Sequence, residues 1–283
     1  MNRVQSTFVD ASGVRIHARI VPCPAAPEAT PAVVLHGFTG STESMRGVVT
    51  ELCQTRTTVS IDLVGHGCSD APDDVAAYSM ESCAEQVACV IDSLALDRPH
   101  LLGYSMGGRT ALSFCAAYPE RARSALLVGA SAGLADPKAR AARVKDDEAL
   151  ADQILAGGLV AFVDEWMAKP IFASQVRLGE IELASARMQR MNNRPLGLAM
   201  SLRGMGTGAM TPLELNGLKV PTKFVAGAED EKFCGIARAY AGRLPNAQCE
   251  IVATAGHAVH LENPEAFGRV ARAFFAHVDS GSL

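Results

Sequence analysis

The run Gly103-Tyr104-Ser105-Met106-Gly107-Gly108 is a G-x-S-x-G motif, the pattern in this sequence that is most able to do chemistry. An apolar run over residues 100–102 precedes it, and a helical stretch over residues 109–118 follows. Strand, sharp turn and helix are the context of a nucleophile elbow, in which a strained turn exposes the serine hydroxyl. Glycines let neighbouring backbone approach that turn, and a helix N-terminus favours negative charge beside it. The motif predicts that Ser105 is a catalytic nucleophile or base.

A serine hydroxyl is weakly reactive until a histidine accepts its proton, and an acid must hold that imidazole in the right tautomer. Behind such an elbow the acid and then the histidine follow the serine along the chain. Asp230 and His257 follow the last two predicted strands in that order. We therefore expect Ser105, His257 and Asp230 to form a catalytic triad.

Neighbouring residues offer alternatives for two of these positions. Glu229 and Glu231 compete with Asp230, which is favoured by its distance from the glycine that ends the strand. His260 competes with His257, but it lies a turn later, where we expect it to begin or pack on the terminal helix.

The segment Leu35-His36-Gly37-Phe38-Thr39-Gly40 follows the first predicted parallel strand. An oxyanion hole takes one backbone amide from such a loop and the other from the residue after the nucleophile. We expect the N–H groups of Phe38 and Met106 to supply them. His36 is interpreted as a structural histidine, because the catalytic roles are already filled.

Composition excludes several classes of function. The 283 residues carry 26 Lys plus Arg against 30 Asp plus Glu, a net charge of -4, with no basic run that would bind nucleic acid. Residues 1–10 lack the apolar core of a signal peptide, and no stretch is long and apolar enough for a membrane span, so we expect a cytoplasmic protein. The eight cysteines form no C-x-x-C pair and are expected to be free thiols.

Metal binding is not expected. His66 and Cys68 lie two residues apart, but no second ligand pair accompanies them. The sequence predicts neither a metal nor another cofactor.

Short Val-, Ile- and Leu-rich runs alternate with helix-like stretches, which predicts an α/β protein with a mostly parallel sheet between helices. An antiparallel hairpin is expected over residues 7–10 and 14–21. Further strands are predicted at residues 32–35, 57–61, 100–103, 125–128, 222–226 and 250–252, and helices at 42–53, 80–94, 106–118, 234–244 and 264–277.

Residues 134–212 interrupt this alternation. The segment is rich in Ala, Arg and Met at helical spacing and contains no convincing strand. We expect it to be a helical cap inserted between strands six and seven, over a core domain of residues 1–133 and 213–283.

Several motifs together carry a resemblance to a known family. They are the elbow with Arg109, the run Arg140-Ala141-Ala142-Arg143, Trp166, the run Pro170-Ile171-Phe172, the segment 201–208, and the segment 256–262 around His257. Over nearly its whole length the chain resembles proteins of the α/β-hydrolase fold. Within them it is similar to the 2-succinyl-6-hydroxy-2,4-cyclohexadiene-1-carboxylate synthases of menaquinone biosynthesis. The resemblance implies about eight strands, helices on both faces of the sheet and a helical cap.

For activity, the resemblance implies a carbon-oxygen lyase. Its triad removes a proton from a tricarboxylate cyclohexene, which expels pyruvate without an acyl-enzyme. The resemblance assigns carboxylate binding to Arg109, Arg143 and Arg187, with Tyr104 and Trp166 lining the pocket. Forked guanidinium groups suit carboxylates. Arg190 and Arg194 lie within reach of the same helix face as Arg187 and remain alternatives to it.

Two other functions remain open at this point. A serine carboxylesterase or carbon–carbon bond hydrolase would use the same triad, although its pocket would be mostly apolar. A non-catalytic ligand receptor on this fold would not need a complete triad. We expect a small anionic substrate and a monomer or small homo-oligomer.

Overall fold

The apolar runs form a single eight-stranded sheet in the structure, a computed structural model that describes residues 4–281. The strands are β1 (Gln5–Ala11), β2 (Val14–Val21), β3 (Ala32–Leu35), β4 (Thr58–Ile61), β5 (His100–Tyr104), β6 (Ser124–Val128), β7 (Thr222–Gly227) and β8 (Ala247–Val252). Their spatial order is β1-β2-β4-β3-β5-β6-β7-β8. β2 pairs antiparallel with β1 and with β4, and the strands from β4 to β8 pair in parallel. The predicted mostly parallel sheet is confirmed.

The central strand β3 shows why its sequence is apolar at every position. Ala32 and Val34 face one hydrophobic layer, whereas Val33 and Leu35 face the other. All four are fully buried, because helices cover both faces of the sheet. The carboxyl ends of β3 and its parallel neighbours therefore meet along one edge, where loops are free to carry function.

Ten α-helices are found among residues 4–281: α1 (Arg46–Leu52), α2 (Met80–Ser93), α3 (Met106–Ala117), α4 (Pro137–Gly157), α5 (Leu159–Met167), α6 (Glu180–Met191), α7 (Pro195–Met205), α8 (Glu231–Ala241), α9 (Val259–Glu262) and α10 (Pro264–Asp279). Helices α1 and α10 cover one face of the sheet, and α2, α3 and α8 cover the other. No helix of this described part is long and apolar enough to cross a membrane.

The chain between β6 and β7 is helical, as the sequence predicts. It contains α4, α5, α6 and α7, together with a 3₁₀ segment over Pro170–Leu178. A separate small core holds α4, α5 and α7 together; its members are Ala151, Ile154, Phe162, Val163, Leu198, Ala199 and Leu202. The cap limits at residues 134 and 212 stay a prediction.

Two predicted helix limits are wrong. The helix expected over residues 234–244 begins at Glu231, because the Asp230 carboxylate caps it by accepting the Phe233 N–H at 3.2 Å. The helix expected over residues 42–53 divides into a 3₁₀ turn, Thr42–Met45, and α1.

Candidate active site

Ser105 occupies a strained turn between β5 and α3. Its φ is +51°, in the left-handed region that a non-glycine residue enters at a cost. A Cβ on Gly103 would lie 2.3 Å from the Gly107 carbonyl oxygen, and one on Gly107 would lie 2.4 Å from that of Leu35. Only glycine fits at either position. The turn is held further by the Ser105 N–H, which donates to the Val128 carbonyl at 2.7 Å.

The structure brings Ser105, His257 and Asp230 into one hydrogen-bonded line. His257 Nε2 lies 3.1 Å from Ser105 Oγ, and His257 Nδ1 lies 2.7 Å from Asp230 Oδ2. Asp230 and His257 lie in the loops that follow β7 and β8, at the same sheet edge as Ser105. This geometry lets the imidazole exchange a proton with the serine while the carboxylate holds its tautomer.

The competing residues lie elsewhere. Glu229 is exposed and pairs with Arg177 at 2.8 Å, and Glu231 is exposed at the start of α8. His260 is buried against the ring of Tyr104, with a centroid separation of 4.5 Å, and burial lowers its pKa to about 3.

The amides of Phe38 and Met106 are available for a developing oxyanion. Within residues 4–281, neither N–H donates to a protein acceptor, although both residues line the cavity that contains Ser105. His36 in the same loop is structural, since its Nδ1 donates to the Gly37 carbonyl at 2.8 Å and its Nε2 accepts the Leu63 N–H at 3.0 Å.

The cavity containing Ser105 and His257, here the catalytic cavity, has a volume of about 330 Å³. Aromatic rings form much of its wall: Phe38, Tyr104, Trp166, Phe172 and Phe233. The Phe233 ring lies 4.8 Å from the His257 ring, and the Trp166 ring meets Phe38 edge-on at 5.1 Å. These rings restrict access of water to His257 on the sides they cover.

Two predicted arginines line the catalytic cavity. Arg109 on α3 donates from Nη2 to the Met205 carbonyl at 2.9 Å and has no carboxylate partner among the described residues. Burial, reinforced by the charge of Arg143, lowers the pKa of Arg109 to about 10. Arg143 on α4 donates from Nε to Asp147 at 2.8 Å, and burial raises the pKa of Asp147. The cavity therefore presents a positive wall to an anionic ligand.

The sequence reasoning missed Lys232, an exposed residue at the start of α8 that also lines this cavity. The available signal was its position two residues after the predicted acid, because the first turn of a helix that follows a strand end faces the site.

Arg187 does not line the catalytic cavity. Its guanidinium is exposed and forms two hydrogen bonds with Asp164 on α5, at 2.6 and 3.0 Å. Of the two alternatives, Arg190 on α6 instead lines a neighbouring cavity, whereas Arg194 precedes α7 and donates to the Ser69 carbonyl. The structure therefore does not bring Arg187 together with Arg109 and Arg143 in this cavity, because Asp164 holds it on the outer side of the cap.

One group of side chains has the types that a metal ion requires. His17, Asp62 and Cys68 place ligand atoms within 4.8 Å of one another. The Asp62 carboxylate, however, already accepts His17 Nδ1 at 2.8 Å and the backbone N–H groups of Thr42 and Cys68 at 2.6 and 2.9 Å. These hydrogen bonds give the cluster a structural role, because they stabilise the loop after β4.

Comparisons with known proteins agree with this geometry. Residues 30–264 match the family described as alpha/beta hydrolase fold. A Bacillus subtilis (strain 168) protein, provisionally named 2-succinyl-6-hydroxy-2,4-cyclohexadiene-1-carboxylate synthase, is 41% identical over 89% of this chain and 93% of its own. The Serratia proteamaculans (strain 568) protein of that name is 31% identical over 86% of this chain and 92% of its own. The structure of MenH from S. aureus superposes with a TM-score of 0.88 at 28% identity, covering 93% of this chain and 98% of its own.

Proposed function

Because the chain belongs to the α/β-hydrolase fold family and, within it, to the 2-succinyl-6-hydroxy-2,4-cyclohexadiene-1-carboxylate synthases, we propose that it is a carbon-oxygen lyase of menaquinone biosynthesis. Its substrate is a tricarboxylate cyclohexene, and its products are the named cyclohexadiene and pyruvate. The proposal rests on one observation. Hydrogen bonds join Ser105 to His257 and His257 to Asp230, and the cavity beside Ser105 is also lined by two arginines.

The proposed reaction begins with proton removal. His257 takes the proton of Ser105, and the serine oxygen takes a proton from the substrate carbon beside the succinyl carbonyl. The electron pair of that C–H bond forms a new ring double bond, the double bond already in the ring shifts by one carbon, and the carbon–oxygen bond to the enolpyruvyl group breaks, which gives the diene and the enolate of pyruvate. The released enolate takes up one proton at its methylene carbon and becomes pyruvate, and His257 gives up the proton that it accepted, so the protons balance over the cycle. No bond to Ser105 is needed.

The negative charge that develops on the succinyl carbonyl oxygen has two donors prepared for it. The N–H groups of Phe38 and Met106 are held by the backbone of a loop and of a helix N-terminus, so they need not reorganise during the reaction. Arg109 and Arg143 supply forked donors for carboxylates of the ring and its succinyl arm. The missing carboxylate partner of Arg109 supports this assignment, because an enclosed cation gains most from an anionic ligand.

The proposal is tested by measuring pyruvate release from the purified tricarboxylate. Ser105→Ala should reduce turnover by several powers of ten, as the loss of a triad residue does. Arg109→Ala and Arg143→Ala should each cost on the order of 2–5 kcal/mol in kcat/KM, the scale for truncating one partner of a buried charge pair. Arg187→Ala is the matched control and should change kcat/KM little, because its contact is with exposed Asp164.

A serine esterase would give a different pattern. Neutral esters would be the better substrates, and the Arg109 and Arg143 variants would hydrolyse them at the unaltered rate. Full activity of both arginine variants on the tricarboxylate would also contradict the lyase proposal.

We also propose that the reaction takes place in the cytoplasm. All eight cysteines are free thiols, including exposed Cys68, which suits a reducing compartment. The partner we propose is the small anionic substrate alone.

A further inference from the structure

The ring hydroxyl of the proposed product is a polar group that neither the triad, the two amides nor the two arginines bind. The name of the relatives places this hydroxyl on carbon 6, the ring carboxylate on carbon 1 and the succinyl arm on carbon 2. Carbon 6 is bonded to carbon 1, so the hydroxyl lies beside the ring carboxylate, on the side away from the succinyl arm. A substrate held by its carboxylates and its ketone therefore presents an alcohol to a further part of the cavity wall.

Ser201 on α7 is a buried hydroxyl in the wall of the catalytic cavity. The residue is 1% exposed, and its Oγ lies 3.3 Å from Met205 Sδ and 3.5 Å from Met106 Sδ. Within residues 4–281 these two sulfurs are the only hydrogen-bond partners of the hydroxyl. A thioether accepts hydrogen bonds weakly, whereas buried hydroxyl groups ordinarily have a strong partner. Ser201 is thus withdrawn from water with most of its hydrogen-bonding capacity unused.

The unused capacity of Ser201 is that of an acceptor. A hydroxyl has one hydrogen and two lone pairs, and the hydrogen of Ser201 is directed to sulfur. In the part of the chain that the structure describes, no N–H or O–H donates to Ser201 Oγ. Carboxylate and ketone oxygens carry no hydrogen and cannot donate to it. An alcohol of the substrate can.

The two methionines connect Ser201 to the groups that bind the ketone and a carboxylate. Met106 supplies a backbone N–H to the proposed oxyanion hole, and the Met205 carbonyl accepts a hydrogen bond from Arg109 Nη2 at 2.9 Å. Ser201, Met106 and Arg109 all line the catalytic cavity. When Arg109 holds the ring carboxylate, the adjacent ring hydroxyl is therefore on the side of the cavity that Ser201 lines.

Three other hydroxyl groups line this cavity, on Ser131, Thr207 and Tyr240. The Tyr240 hydroxyl already accepts the Ala132 N–H at 3.0 Å. Ser131 is more exposed than Ser201, and Thr207 is half-buried, so water can complete the hydrogen bonds of both. Ser201 gains most from a hydroxyl-bearing ligand, because it is the most deeply buried of the four.

We propose that Ser201 accepts a hydrogen bond from the ring hydroxyl of the substrate and thereby makes the site specific for a hydroxylated ring. The inference rests on the proposed lyase function. A site with a buried partner for a substrate hydroxyl rejects the analogue that lacks it, because the buried group then stays unpaired. An apolar side chain in place of Ser201 removes this discrimination.

The test compares pyruvate release from two tricarboxylates, the hydroxylated substrate and the same ring without its hydroxyl. The ratio of the two kcat/KM values should fall roughly three- to tenfold in Ser201→Ala, which is the scale of one hydrogen bond in a double-mutant cycle. Taking the ratio cancels the intrinsic reactivity of the two rings, and a general folding defect would lower both values alike. Ser131→Ala and Thr207→Val are the matched controls. Each removes a hydroxyl from the same cavity and should leave the ratio unchanged.

Two results would overturn the inference while pyruvate is still released by the unaltered protein. One is a ratio that changes less than about twofold in Ser201→Ala, whether or not both kcat/KM values fall together. The other is a fall of the ratio in Ser131→Ala or Thr207→Val that Ser201→Ala does not show. Failure of the proposed function is distinct, because the unaltered protein would then release pyruvate from neither ring, and the inference would fail with it.

Discussion

Asp230 has two partners, and both follow from its place between β7 and α8. One carboxylate oxygen faces His257 Nδ1 at 2.7 Å, and the other accepts the Phe233 N–H at 3.2 Å. The helix cap fixes the carboxylate independently of the imidazole, so the contact with His257 needs little further ordering of the side chain. Glu229, one residue earlier, is directed to Arg177 at the surface.

This difference in direction leads to a prediction for the acid. Asp230→Asn should lower kcat by several powers of ten, because an amide in that position no longer favours the tautomer with a proton on Nδ1. Glu229→Gln should stay within about threefold of the unaltered enzyme, since it loses only an exposed ion pair. Steady-state pyruvate release measures both, and circular dichroism checks that both variants are folded. A severe loss in Glu229→Gln would transfer the role of the acid to Glu229.

At the scale of elements, the position of α7 depends on one close approach between backbones. A Cβ on Gly197 would lie 2.1 Å from the carbonyl oxygen of Gly65, in the loop after β4. Gly65 itself has a φ of +78° and lies against the ring of Tyr78. Because α7 also carries Ser201 and Met205 at the catalytic cavity, this contact fixes the position of that wall of the cavity relative to the loop after β4.

Two helical glycines should respond oppositely to the same substitution. Gly197→Ala should lower the free energy of unfolding by about 1–3 kcal/mol, because the new methyl group forces α7 away from the loop. Gly235→Ala in α8 should raise it by about 0.5–1 kcal/mol, because nothing lies within 4 Å of its added Cβ and alanine favours the helix. Urea unfolding of the two variants measures the difference. A destabilised Gly235→Ala variant would show that the fold resists any change at helical glycines.

For the molecule as a whole, its buried histidines give stability a pH dependence. His66 and His260 are fully enclosed, and burial lowers the pKa of each to about 3. His36 is enclosed as well, and burial lowers its pKa. In the unfolded chain these imidazoles titrate near 6.5. Above that pH neither state binds protons at these sites, and their contribution to stability is complete.

As the pH falls from about 6.5 towards 3, the unfolded chain takes up protons that the folded protein excludes. The free energy of unfolding should therefore fall by up to about 1.4 kcal/mol per pH unit for each such histidine. Urea midpoints between about pH 7.5 and 5.5 measure this, in a range where most carboxyl groups stay ionised. His260→Gln should reduce the slope even if it also lowers stability. A midpoint that does not move over this range would contradict the prediction.

The sequence alone determined the fold and the chain positions of the proposed triad, because both depend on local pattern. A short apolar run such as Ala32 to Leu35, preceded by proline and rich in β-branched residues, favours a strand buried on both faces, and parallel strands bring their carboxyl ends to one edge. The sequence therefore predicts that residues which follow such strands, as Asp230 and His257 do, lie close together in space. The fold prediction is confirmed, while the catalytic roles stay predictions.

Only the tertiary structure decided which arginines of the cap reach a cavity. Arg187 and Arg190 lie three residues apart on one exposed helix, at neighbouring positions of its surface. The periodicity of α6 cannot choose between them, because none of its side chains is fully buried to mark an inner face. Asp164, supplied by α5, holds Arg187 outside, and the approach of α6 to Tyr104 leaves Arg190 inside. Such a choice depends on how separate helices pack, which is a contact between distant parts of the chain and leaves no local pattern in the sequence.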